Sequence, residues 1–166
     1  YRDFARLGRG SMGGKARGIA FAVGRLATHP IQGRYPDVRV TVPRAIVVCT
    51  EAFERACEHE GLRERALAAP EDGAVARLFL AAPLPDDLLA DLAAILRTVR
   101  EPLAVRSSSL YEDSAFAPLA GMYETVLLPN AAVDDGVRLA QLAAAIRLVW
   151  ASTFYRAPRA YMAAAG

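Results

Sequence analysis

The chain has 166 residues, 54% of them hydrophobic, and a net charge of +2 with both signs spread along its length. That size fits one domain with a modest core, and the mixed charge argues against a nucleic-acid groove or an anionic membrane surface as partner. The longest apolar runs, such as AIVVC at 45–49, are too short to cross a bilayer, and no basic stretch followed by an apolar one opens the chain, so a cytoplasmic location is expected.

Taken in chain order, YRDFARL at 1–7 reads poorly as a buried strand. The glycine-rich GRGSMGGKARG at 8–18 follows, and Ile19, Ala22, Val23 and Leu26 after it share one helical face, so the loop is expected to feed a helix N-terminus. Residues 28–37 are rich in turn formers. VRVTVP at 38–43 alternates as a strand does, and AIVVCT at 45–50 is a β-branched run suited to a strand covered on both sides. Thr50 can cap a helix over 51–67 that turns Phe53, Ala56 and Cys57 inward. Residues 70–75 form a turn-rich connection. PLPDDLLADLAAILRTV at 83–99 is a helix with acids at its front and Leu88, Leu92, Ile95, Leu96 and Val99 on one face. PLAVRSSS and YETVLLP are short strands, and Asp134 caps a long helix with the stripe Leu139, Leu142, Ile146, Val149 or Trp150, and Phe154. Strands and helices mix without regular alternation, which favours an α+β arrangement over a doubly wound sheet. Cys49 and Cys57 match neither a metal nor a redox spacing and read as idle thiols.

Of the 20 cationic residues only Lys15 is a lysine, and it sits inside the glycine-rich stretch. A compact ammonium on a flexible stem suits a phosphate among close-packed backbone. GRGSMG is a literal G-x-G-x-x-G, yet a dinucleotide loop calls for a preceding buried strand and an acid about 20 residues on, where this chain has Gly33. The kinase version requires HRD and DFG signatures, which are absent. A phosphate loop of the G-x-x-x-x-G-K-[ST] type would put Arg9 at its first glycine and Ala16 at its hydroxyl. Spacing alone leaves a phosphate loop and a plain glycine turn capping a helix both open. Farther on, LAVRSSSLYEDS places Arg106 at a strand end before three serines, where its guanidinium can grip phosphate oxygens or pair with Glu112 or Asp113. LAGMYETVLLPN offers Gly121 for close backbone approach and Thr125 at the mouth of a strand, or simply a hairpin.

The blocks GGKARG, VPRAIVVCTEAF, PLAVRSSSLYEDS, AGMYETVLLPN and VWASTFYRAPRAYM resemble, in this order, the N-terminal nucleotide-binding region of phosphoenolpyruvate synthase and pyruvate phosphate dikinase. Rifampicin phosphotransferases and the water dikinases of starch metabolism belong to the same group. The resemblance covers nearly the whole chain and is weakest at 27–37 and 58–82. It implies the first part of an ATP-grasp fold, with ATP as ligand and Mg²⁺ as its companion. It further implies that Lys15 contacts the ATP phosphates, that Arg106 contacts the transferring end, and that Gly121 and Thr125 line the phosphate side. Two stretches depart from the family pattern: Leu119 and Met122 replace parts of an SFAGQ stretch, and Tyr111 replaces a small residue.

In such enzymes ATP phosphorylates a histidine on a swivelling domain. Neither His29 nor His59 has the Thr-Gly-Gly context of that carrier, and both read as solvated. A chain that begins at Tyr1 and stops at YMAAAG is expected to be a fragment, with the second ATP-grasp lobe, the metal ligands, the phosphohistidine domain and the acceptor domain lying elsewhere in a longer protein. The first reading is the ATP-binding part of a phosphotransferase, inactive alone. The alternatives are a non-catalytic nucleotide sensor or interaction module and a structural α+β domain that binds nothing.

Overall fold

The computed structural model describes residues 4–29, 31, 37–109 and 121–165. Its architecture mixes α and β: β1 (Phe4–Leu7), α1 (Gly14–Thr28), β2 (Ala45–Val48), α2 (Thr50–Glu58), a 3₁₀ turn (His59–Gly61), α3 (Leu62–Ala68), α4 (Asp72–Ala81), α5 (Asp86–Leu96), β3 (Leu103–Arg106), β4 (Thr125–Leu128), α6 (Asp135–Ser152) and α7 (Arg156–Ala165). β1 pairs in parallel with β2, Leu7 opposite Val48, and β3 pairs antiparallel with β4, Leu103 opposite Leu128.

Both strand pairs lie on a core supplied mainly by α5 and α6. Leu88, Leu92 and Leu96 of α5 recur at helical spacing, are buried, and meet Leu142, Ala143 and Ile146 of α6, with Leu7, Ile46, Val48, Leu103, Val105 and Leu128 packed against them from the strands. Each fully buried leucine contributes about 1.5–3 kcal/mol as an upper bound. A second cluster joins α2, α3 and α4 to the end of α6 through Cys57, Leu62, Val75, Phe79 and Phe154. Phe53 meets Trp150 edge-on at a centroid distance of 5.6 Å, a favoured aromatic geometry. Both cysteines are free and buried, and burial pushes the Cys57 thiol up to about 11. α6 starts as expected: the Asp134 carboxylate accepts from the N–H groups of Gly136 and Val137 at 2.6 and 3.1 Å. Arg138, wholly buried on α6, donates to the carbonyl of Leu96 at the last residue of α5, a helix end that favours a cation.

Several expectations change. YRDFARL does contain a strand, β1, which buries Leu7 while leaving Arg6 exposed. VRVTVP at 38–43 and Arg44 after it adopt no regular element, and the strand pairs of the described residues, β1 with β2 and β3 with β4, take in none of them. The helix expected over 51–67 is broken, because Glu60 and Gly61 take left-handed φ values of 48° and 62°. His59 therefore lies in the 3₁₀ turn, exposed like His29. Asp72, within the stretch read as a connection, begins α4 instead. Thr50 is the first residue of α2 rather than its cap, which is Cys49.

Candidate functional site

The glycine-rich stretch divides into two halves with different surroundings. Gly8 and Gly10 have φ values of 74° and 94°, which only glycine adopts without strain. They let residues 8–11 lie on the start of α2, which has no side-chain cap of its own. The carbonyls of Leu7, Ser11 and Arg9 accept the N–H groups of Cys49, Thr50 and Glu51 at 3.0, 3.1 and 3.3 Å. Orphan donors of a helix N-terminus are thus satisfied by loop carbonyls. The first half of G-x-G-x-x-G is a helix cap, and those α2 donors are not left for a ligand.

The second half opens α1. Gly13 is its N-cap, no acid stands in the first turn, and Ala16 is buried. This turn rests on the segment that leaves β3: the Ala16 N–H donates to Ser108 Oγ at 2.9 Å. A Cβ built on Gly13 would lie 0.9 Å from the Ser108 carbonyl oxygen, so no other residue fits there without a shift of backbone. Ser108 is two residues beyond Arg106, within about 7 Å along the chain. The half-buried Lys15 and the exposed Arg106 therefore belong to two backbone segments in direct contact.

Arg106 and Thr125 are directly opposed across the antiparallel pair. Burial alternates along both strands, with Leu103, Val105, Val126 and Leu128 turned toward the core and Arg106 and Thr125 exposed on the outer face. Directly opposed residues have Cβ atoms about 5 Å apart. Gly121 lies four residues earlier at φ 75° with open space around it. Between them the Glu124 N–H is held by the hydroxyl of fully buried Ser152, at 3.0 Å, which itself donates to Val149 O. The end of α6 thus fixes the approach to β4.

Glu112, Asp113, Tyr111 and Leu119, all named in the sequence reading, lie outside the described residues. Among the described residues no group of three or more His, Cys, Asp or Glu side chains could hold a metal. No helix of the described residues is long and apolar enough to cross a membrane. Residue types drew attention to Lys15, Arg106, Gly121 and Thr125. Gly13 stood in the glycine motif and Ser108 among the three serines after Arg106, but neither they nor Ser152 were singled out as the pieces that hold the site together.

Comparisons with curated proteins and with solved structures returned no match. The model of the family described as pyruvate phosphate dikinase, AMP/ATP-binding domain, matches residues 9–166, a range that begins inside the glycine loop and takes in both strand pairs except β1. With that match over almost its full length, the chain belongs to the AMP/ATP-binding domain family of pyruvate phosphate dikinase.

Proposed function

We propose that this domain holds ATP for a phosphotransferase that phosphorylates a carrier histidine on another domain of the same protein. The observation that carries the reading is the contact between the first turn of α1 and the segment leaving β3, which gathers the lysine loop and the arginine strand in one corner. Phosphoryl transfer needs little covalent help from protein side chains and depends on positioning and charge neutralisation.

In this reading Lys15 meets the phosphate chain as a point charge. Arg106 clamps the end that is transferred through its planar fork. Thr125 offers a hydroxyl on the same outer face as Arg106, and the first turn of α1 contributes the positive end of its dipole. A P–O bond of ATP breaks as a P–N bond to the carrier imidazole forms, and the bridging oxygen leaves with its electron pair on the nucleotide. Magnesium bound with ATP would supply further charge neutralisation. The carrier and the phosphoryl acceptor belong to other domains.

The test is ATP-dependent histidine phosphorylation in the complete protein. Lys15→Ala and Arg106→Ala are each expected to lower its rate at least about a hundredfold while circular dichroism shows the fold retained. Unchanged rates in both variants contradict these assignments.

A further inference from the structure

The loop and the start of α2 hold each other by reciprocal bonds. Thr50 and Glu51 donate their N–H groups to Ser11 O and Arg9 O, and in return their side chains take the loop's own donors. Thr50 Oγ1 accepts from the Ser11 N–H at 3.0 Å, and Glu51 Oε2 accepts from the Arg9 N–H at 2.8 Å. Between these two amides Gly10 stands at φ 94°, so close that a Cβ there would lie 2.6 Å from Thr50 Oγ1. Arg6 closes the same turn by donating to Gly10 O at 3.0 Å.

We infer that Thr50 and Glu51 are positioning residues for the nucleotide: they fix residues 9–11, and through them the course of the chain into Gly13, Gly14 and Lys15. The inference rests on the proposed ATP site. α2 itself does not need the Thr50 hydroxyl for its place in the fold, since Ala52, Ala56 and Cys57 bury it against the core. Thr50 is exposed, as are Arg9 and Ser11. A valine keeps the shape of the threonine and removes only the hydroxyl, and water can take the Ser11 N–H that is released. What changes is the freedom of the loop, and a looser loop must be ordered again when ATP binds.

Calorimetric titration of the complete protein with ATP tests this, beside its thermal unfolding. Thr50→Val is expected to weaken ATP binding by about five- to tenfold, the effect of one hydrogen bond, with an unchanged unfolding temperature, and Thr50→Ser to restore it. Glu51→Ala is expected to weaken binding likewise, and Glu51→Gln, which keeps an acceptor oxygen, to retain it. If Thr50→Val and Glu51→Ala bind like the wild type while Lys15→Ala does not, the inference fails and the site stands. Equal weakening in Thr50→Val and Thr50→Ser also overturns it, because the hydroxyl is then not the cause. Binding by Lys15→Ala equal to the wild type overturns the site and the inference together.

Discussion

Gly13 has φ −69°, a value open to any residue, so its need for glycine comes from space alone. Its neighbour is a backbone carbonyl, Ser108 O, which cannot swing aside as a side-chain tip can. Gly13→Ala is therefore expected to push the first turn of α1 off the β3 exit, to destabilise the fold by about 1–3 kcal/mol as overpacking does, and to remove ATP binding. Urea unfolding and an ATP titration check this, and wild-type values in both contradict the contact. The chemistry-bearing residues were legible in the sequence because a lone lysine among glycines and an arginine before serines stand out by type. Their meeting was not legible, since the bond from Ala16 to Ser108 spans 92 positions and neither residue is distinctive. Nor could spacing separate the two halves of the glycine stretch: a helix cap and a phosphate cradle ask for the same glycines, and only the carbonyls' partners distinguish them.

Among the elements, α1 is the least favoured by its own composition. It carries Gly18 and Gly24 in its interior, both exposed, and an added Cβ meets nothing within 4 Å at either. Gly18→Ala and Gly24→Ala should each stabilise the domain by about 0.5–1 kcal/mol, the ordinary difference between these residues inside a helix. Chemical denaturation reads this directly, and a loss of stability would mean that α1 bends or packs differently. α5 and α6 were readable because a full apolar stripe agrees with the acids in the first turn of α5 and with the aspartate cap of α6. β1 was not, because four residues with one exposed arginine carry almost no alternation, and what makes them a strand is the parallel neighbour β2. VRVTVP failed in the opposite way: it has the alternation, but the strand ladders among the described residues do not include it. α4 was hidden by Pro70, Glu71, Asp72 and Gly73, turn formers that here lead into and begin a helix whose Val75 and Phe79 reach the core.

In the assembled domain these pieces serve one arrangement. α5 and α6 form the floor, and the end of α6 holds the approach to β4 through Ser152. The two strand pairs rest on that floor, and the first turn of α1 bridges from the parallel pair to the exit of the antiparallel pair. The chain belongs to an AMP/ATP-binding family, and the proposal that the lysine loop and the arginine strand share one phosphate chain is the claim on which the mechanism depends. A crystal structure of the complete protein with a non-hydrolysable ATP analogue tests it most directly. The account predicts phosphate oxygens within hydrogen-bonding distance of both Lys15 Nζ and the Arg106 guanidinium. A triphosphate seated away from either side chain would contradict it.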